Sequence, residues 1–314
     1  MVRARSVLEH YLRNFPGSLY GDDKSAVVNK MAENNAILLL LNGEDDGTNL
    51  ASKLEGQPLY QNEIQVEGNS WYINQDYNHR DATFEEILHL VHDTGIGVDG
   101  NDRFLGVLSG FQAEIRAAQE NSLAKNLWGI DENDWIDELK TENSLSQEYL
   151  AAVIDCYYGL WGAWNESSTH GMWGLYIAKT REEITNEDPM GAGLMNNKFF
   201  HSYLTYNARI DANFEGTFSL KFNNNLPYTH HSQYLKDVTL TGNKNSNVRV
   251  NQLNNRITGN LGVNTVIFSG NLNEYTITKK SKKVVVSDNL LDRDGVNTLI
   301  DIEKIEFIDK TIPL

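Results

Sequence analysis

Hydrophobic and polar positions follow two different periods along this chain of 314 residues. Up to about residue 205, apolar side chains recur at intervals of three and four, the spacing that places them on one face of an α-helix. The pattern is clearest over residues 4–14, 23–33, 83–94, 102–119 and 147–158. Helices are therefore expected to form most of this part of the chain.

The amino-acid composition and the spacing of apolar residues change beyond about residue 205. Asn, Thr, Gly and β-branched residues dominate, and short strand-and-turn units continue to the end, with strands predicted over residues 214–222 and 238–241. We expect a domain boundary near residue 235, with a mainly helical domain over residues 1–235 and an all-β domain over residues 236–314. The predicted fold class is α+β.

A small sheet is predicted ahead of the third helix. Residues 36–41 form an apolar run ended by a turn-rich stretch, which is typical of a buried strand. Residues 63–67 and 70–74 alternate polar with apolar side chains around Gly68, as the two strands of a β-hairpin would. The helical domain is thus expected to carry strands before the helix at residues 83–94.

The chain is strongly acidic, with a net charge of −16. Because nucleic acids and anionic membrane surfaces repel such a protein, we expect neither nucleic-acid binding nor membrane insertion. The longest apolar run, residues 36–41, is far shorter than the roughly 20 residues that cross a bilayer. Residues 1–16 are charged and lack a continuous apolar core, so no N-terminal signal peptide is predicted.

Candidate chemistry begins on the helix predicted over residues 83–94. At about 100° per residue, Glu85, His89 and His92 lie within about 60° of one another on one face. One carboxylate and two imidazoles on a single face suit a divalent metal such as zinc. A structural interpretation is also open, because Thr83 and Glu86 fit a capping box at the start of a helix.

Three motifs follow one another between residues 85 and 189. Residues 85–95 read Glu-Glu-Ile-Leu-His-Leu-Val-His-Asp-Thr-Gly, residues 148–152 read Glu-Tyr-Leu-Ala-Ala, and residues 179–184 read Lys-Thr-Arg-Glu-Glu-Ile with Asp-Pro at residues 188–189. In this order they resemble the gluzincin-type metallopeptidases related to the anthrax lethal factor catalytic domain. The resemblance implies a zincin-like fold and zinc-dependent peptide hydrolysis.

The resemblance also implies roles for individual residues. Glu86 matches the general base, His89 a histidine ligand and Glu148 the glutamate ligand from a second helix. Zinc would polarise the scissile carbonyl, while Glu86 would take a proton from the attacking water and pass it to the leaving amine. A tyrosine is expected to donate a hydrogen bond to the oxyanion. The candidates are Tyr149, Tyr157 and Tyr158.

The chain departs from the family pattern at two positions. Glu85 stands in place of the first histidine ligand, and Ala152 in place of a second glutamate. Two ligand sets are therefore open, Glu85/His89/Glu148 and His89/His92/Glu148. An additional carboxylate would make the metal a weaker Lewis acid. A third outcome is that the fold persists without the chemistry.

The end of the chain carries a short repeat, Leu-Thr-Gly-Asn at residues 240–243 and Ile-Thr-Gly-Asn at residues 257–260. Together with the residues that follow, it resembles the C-terminal tail of RTX-type (haemolysin-type calcium-binding) secreted proteins. The resemblance implies a parallel β-roll, calcium binding and export by the type I secretion machinery. Asn occupies many positions where Asp and Gly are expected. The remaining calcium candidates are Asp288, Asp292 and Asp294.

The sequence thus predicts a secreted, extracellular, zinc-dependent peptide hydrolase that acts on a peptide or protein, with calcium as a second cofactor. Two alternatives from other functional classes stay open. One is a catalytically inactive zincin-fold protein that binds a surface or matrix. The other is a calcium-stabilised adhesin whose activity lies in the β tail.

Overall fold

The computed structural model describes residues 1–70, 73, 81–101, 104–161, 170–221, 234–281 and 283–314. Both helices and strands are abundant in these residues, so the protein is of the α+β class. The chain divides into two compact units. The first comprises Met1–Ile64 and His79–Ser202, and the second comprises Gln65–Asn78 and Tyr203–Leu314.

The first unit is built mainly of helices. In chain order they are α1 (Val2–Leu12), α2 (Ser25–Glu33), α3 (Thr83–Val91), α4 (Ser109–Ala124), α5 (Asn133–Glu142), α6 (Leu145–Tyr157), α7 (Arg181–Glu187) and α8 (Pro189–Met195). A two-stranded parallel sheet of β1 (Leu38–Leu41) and β2 (Gln57–Tyr60) completes the unit, and β2 packs against α3. Within the described part of the chain, none of the helices has the length and apolar character of a membrane span.

Helix α3 lies at the centre of the first unit. Phe84, Ile87, Leu88 and Val91 are all fully buried, so apolar side chains cover most of the helix. Helices α1 and α6 pack against it, and Tyr11 of α1 donates a hydrogen bond to the Phe84 carbonyl over 3.0 Å. A helix enclosed in this way holds its remaining side chains in fixed positions, because packed interiors leave little room for movement.

Two predicted elements of this region differ in the structure. The helix expected over residues 102–119 begins only at Ser109, because the N–H groups at residues 107 and 108 donate to the carbonyls at residues 95 and 96 instead. The first strand of the expected hairpin does not form. Its place is taken by a 3₁₀ turn, Gln61–Glu63, and irregular chain. Residues 71, 72 and 74 of the second strand lie outside the described residues.

The division between the units lies earlier than the sequence suggests. Strand β3 (Leu204–Ile210) pairs in parallel with β5 (Leu235–Leu240), and β4 (Gly216–Ser219) pairs in parallel with β6 (Ser246–Arg249). The boundary expected near residue 235 therefore falls inside the second unit. The strands on both sides of it belong to the same sheets.

The second unit is a parallel roll of two sheets. One sheet contains the parallel strands β3, β5, β7 (Arg256–Thr258) and β11 (Val296–Ile300), and the other contains β4, β6, β8 (Thr265–Ile267) and β12 (Lys304–Glu306). Successive strands alternate between the sheets, so the chain winds in coils. An antiparallel hairpin of β9 (Tyr275–Lys280) and β10 (Lys283–Asp288) extends the first sheet, and β13 (Thr311–Pro313) ends the second.

Asparagine side chains link successive coils of the roll. Asn264 is fully buried and donates to the Ser246 carbonyl over 2.9 Å, while Asn247 accepts from the Thr265 N–H over 3.0 Å. Both bonds join residues that are 18 positions apart. Because an amide side chain both donates and accepts, it satisfies the backbone groups that the corners of the coils leave unpaired.

A buried lysine distinguishes the first unit. Lys24 is only 1% exposed, its Nζ donates to the Tyr11 carbonyl over 2.6 Å, and it lies 4.0 Å from the centroid of the Phe199 ring. Burial lowers the pKa of Lys24 from 10.5 to about 7. The folded chain therefore binds fewer protons than the unfolded chain between these two values, and this lysine makes stability rise with pH across that window.

Replacing Lys24 with Met should flatten this pH dependence. At 1.36 kcal/mol per pKa unit, the wild-type lysine adds about 3 kcal/mol to the free energy of unfolding between pH 6 and 9.5, and the variant should lose that increment. Urea unfolding at the two pH values measures the difference. Lys125→Met, at an exposed position, should keep the wild-type pH dependence. An unchanged pH dependence in Lys24→Met would contradict the expectation.

Truncating Asn264 to Ala should destabilise the roll. The change removes bonds to the Ser246 carbonyl and to the Asn260 N–H, leaving backbone groups without partners in a buried corner. We expect a loss of about 2–4 kcal/mol in the free energy of unfolding, measured by urea denaturation. Asn243→Ala, at an exposed corner of the same roll, is the matched control and should change stability by less than about 0.5 kcal/mol.

Candidate metal centre

Three side chains with metal-ligating groups converge between α3 and α6. Glu85 and His89 lie one turn apart on α3, and Glu148 lies in the first turn of α6. One ligand atom from each lies within 4.8 Å of the others, and His89 Nε2 is 3.5 Å from Glu148 Oε1. Glu85 and His89 are buried, whereas the Glu148 side chain is 18% exposed. The cluster is thus largely shielded from water but open at one ligand.

The helices explain this placement. A separation of four residues puts Glu85 and His89 on the same face of α3, and the contact between α3 and α6 brings Glu148 to that face. Glu85 and Glu148 both lie in the first turn of their helices. There the positive end of the helix dipole stabilises a carboxylate by about 0.3–1 kcal/mol.

The donor set fits a zinc ion. With bonds of about 2.0–2.1 Å in tetrahedral geometry, neighbouring ligand atoms lie roughly 3.3 Å apart. The distance of 3.5 Å between His89 Nε2 and Glu148 Oε1 is close to this value. Two carboxylates and an imidazole, deprotonated as metal ligation requires, would together carry two negative charges, which a divalent cation neutralises. Carboxylate oxygen and imidazole nitrogen are both ordinary zinc ligands.

Glu86 lies beside the cluster and not in a helix cap. Its Oε2 accepts a hydrogen bond of 2.6 Å from Gln57 Nε2, at the start of β2, and lies 3.7 Å from His89 Nδ1. Helix α3 has no side-chain cap, so the predicted capping box of Thr83 and Glu86 does not form. Sequence spacing gives no sign of Gln57, because its contact with Glu86 depends on the packing of β2 against α3.

His92 is not part of the cluster. Its ring is fully buried, and Nε2 lies 2.6 Å from Gln112 Oε1 of α4, while Nδ1 has no hydrogen-bond partner among the described residues. Burial lowers the pKa of His92 to about 4, so the ring is neutral near pH 7. The chain widens into a π turn at His92–Ile96, where the α-helical spacing behind the prediction ends. Of the two ligand sets that the sequence left open, the structure brings together Glu85, His89 and Glu148.

Two of the three tyrosines expected to stabilise an oxyanion use their hydroxyls in other hydrogen bonds. The Tyr149 hydroxyl donates to Asp188 over 2.6 Å, and the Tyr158 hydroxyl donates to the His201 carbonyl over 2.7 Å. Both rings are fully buried. Tyr157 lies against the Arg181 guanidinium, 3.8 Å from the ring centroid. Tyr149 and Tyr158 therefore act as internal hydrogen-bond donors in this structure.

Two of the three calcium candidates in the second unit, Asp288 and Asp294, have protein partners. The Arg293 guanidinium donates two hydrogen bonds of 2.7 Å to Asp288. Asp294 is fully buried and accepts from both the N–H and the hydroxyl of Ser269. Asp292 has a positive φ of 57° and lies in a turn. A calcium ion at Asp288 would have to displace an arginine that already neutralises the carboxylate.

Comparison of the chain with protein-family models, with curated proteins and with solved structures gave no match. The case for a metal centre is therefore carried by the geometry of Glu85, His89 and Glu148.

Alanine variants of the cluster should separate the two ligand sets. We expect wild-type protein to hold about one zinc per chain by elemental mass spectrometry, and Glu85→Ala, His89→Ala and Glu148→Ala to lose it, because each removes one of three protein ligands. His92→Gln, whose amide can still reach Gln112, should keep the metal. Glu138→Ala, at an exposed position of α5, is the control. Zinc retained in Glu85→Ala but lost in His92→Gln would favour the other set.

Proposed function

We propose that Glu85, His89 and Glu148 bind a zinc ion and that the protein is a zinc-dependent peptide hydrolase. The observation that carries the proposal is the convergence of these three ligands, within 4.8 Å of one another, from two packed helices. Bound zinc would supply Lewis acidity toward a scissile carbonyl and would lower the pKa of water. The ligand set leaves a coordination position for substrate or water, as catalytic zinc sites require.

Glu86 is the proposed general base. It is adjacent in sequence to the ligand Glu85, and its side chain is 17% exposed, so water can reach the carboxylate. The hydrogen bond from Gln57 holds Oε2 in place, and the carboxylate would accept a proton from the attacking water. The same carboxyl group would then deliver that proton to the leaving amine. Gln57 is accordingly a positioning residue for the base.

The proposed substrate is a peptide or protein, and the proposed location is extracellular, reached by type I secretion. The parallel roll of the second unit supports the export part of the proposal, since a roll of this kind is expected of the RTX-type tails that the sequence resembles. Calcium is not part of the proposal, because Asp288 and Asp294 are held by protein partners.

A second candidate function is a zincin-fold protein that binds a surface or matrix without hydrolysing peptides. The observation that favours it is the engagement of Tyr149 and Tyr158 in internal hydrogen bonds. An enzyme of the proposed kind gains roughly 10²–10³-fold from one preorganised oxyanion donor. The two functions therefore differ in a measurable property, the turnover of peptide bonds by the zinc-loaded protein.

Glu86→Gln tests the proposed enzyme directly. The amide keeps the hydrogen-bonding shape of the side chain but cannot take a proton, so hydrolysis of fluorescently labelled casein should fall by about 10²–10⁴-fold. Zinc content should stay at one per chain, because Glu86 is not a proposed ligand.

The control for this comparison is Glu138→Gln, which should retain full activity and zinc. Wild-type protein that holds zinc but does not cleave casein or a mixed peptide library would support the binding protein. Activity that survives in Glu86→Gln would assign the base to another residue.

A further inference from the structure

The carboxylate of Asp188 is completely buried where α7 ends and α8 begins. Its Oδ2 accepts hydrogen bonds from the Tyr149 hydroxyl over 2.6 Å and from the Tyr176 hydroxyl over 3.0 Å. Its Oδ1 accepts from the Gly191 N–H over 3.1 Å. Three neutral donors thus hold a carboxylate inside the first unit, where an unsatisfied one would be strongly destabilising.

The two tyrosines are suited to remain donors. Burial raises the pKa of Tyr149 and of Tyr176 well above the ordinary value of 10, and the neighbouring Asp188 raises both further. Each hydroxyl therefore keeps its proton at neutral pH and well above it. The Tyr149 ring is also fixed by edge contacts with Trp128 and Tyr176, with centroids 5.6 and 6.4 Å away.

Space around this hydrogen bond is closely fitted. A Cβ atom built on Gly191 would come within 2.8 Å of Asp188 Oδ2 and 2.9 Å of the Tyr149 hydroxyl. Of the amino acids, only glycine therefore leaves Asp188 and Tyr149 in place. Alanine has the higher helix propensity, so α8 would otherwise be more stable with alanine at this position. The close fit shows that the Tyr149–Asp188 contact tolerates little displacement.

Tyr149 directly follows Glu148 on α6, so the two side chains leave the helix about 100° apart. A carboxylate at the end of a glutamate lies roughly 6 Å from the helix axis, and a rotation of about 10° would move it by ~1 Å. Metal–ligand distances tolerate only about 0.2 Å. The rotation of α6 therefore changes the distance between the Glu148 carboxylate and the metal position.

We propose that Tyr149 is a positioning residue for the metal centre: anchored to Asp188, it fixes the rotation of α6 and directs the Glu148 carboxylate toward His89. The inference rests on the proposed zinc site and deepens it. It assigns a function to the buried hydrogen bond between Tyr149 and Asp188, which lies on a different face of α6 from Glu148. Tyr149 and Asp188 are not among the proposed metal ligands.

Tyr149→Phe and Tyr176→Phe form a matched pair for the test. Each removes one hydroxyl from the same oxygen, Asp188 Oδ2, and should destabilise the fold similarly. Only Tyr149 shares a helix with Glu148. Zinc affinity of the full chain is measured by competition with a chromophoric chelator, and stability by urea unfolding. We expect Tyr149→Phe to bind zinc about 10–100-fold more weakly and Tyr176→Phe to bind almost as wild type.

Gly191→Ala provides a second probe that keeps both hydroxyls but pushes Tyr149 and Asp188 apart. It should also weaken zinc binding, and it serves in place of Tyr149→Phe if that variant does not fold. Unchanged affinity in the Tyr149 and Gly191 variants, or an equal loss in Tyr176→Phe, would overturn the positioning role while leaving the zinc site intact. Wild-type protein that fails to bind zinc would overturn both the site and the role.

Discussion

The convergence of Glu85 and Glu148 at one point between two packed helices is the constraint on which the proposed metal centre depends. Their ligand atoms lie within 4.8 Å of each other in a mostly buried setting. Two ionised carboxylates at this separation would repel each other by about 3 kcal/mol at an effective dielectric constant near 20. Apolar packing between α3 and α6 holds the helices together against this force. The two helix dipoles offset part of it. A divalent cation between the carboxylates would turn the remaining repulsion into attraction.

The sequence revealed part of this centre and missed part of it, for physical reasons. The four-residue spacing of Glu85 and His89 is a local property of one helix, so periodicity alone placed them together. The same periodicity also predicted that His92 would join the cluster. It does not, because the backbone leaves α-helical geometry at the π turn that begins at His92. The contact of Gln57 with Glu86 joins residues that are distant in sequence. No local pattern encodes such a pair.

The second unit shows a similar limit on what composition predicts. The short repeat indicated successive turns of a roll, and its two copies lie at neighbouring parallel strands, β5 and β7. The abundant asparagines, however, looked like calcium ligands replaced by poorer ones. In the structure, buried asparagines such as Asn264 bond to the backbone of the adjacent coil. Strand β3 belongs to the second unit although it precedes the expected boundary. Its pairing partner, β5, comes later in the chain, so local composition does not indicate which unit β3 joins.

The regular spacing of the corner asparagines also governs how such a roll can change in length. The Asn247 side chain accepts from the Thr265 N–H across 18 residues. Losing one residue within a coil would break this bond and turn the inward side chains of the following strand outward. The β9–β10 hairpin shows how a longer segment fits into the roll. The Val296 N–H donates to the Asn254 side chain across 42 residues, because the hairpin lies, along the chain, between the two coils that this bond joins. A roll built in this way is modular. It can diverge by gaining or losing whole coils or by extruding hairpins, while its internal frame stays constant.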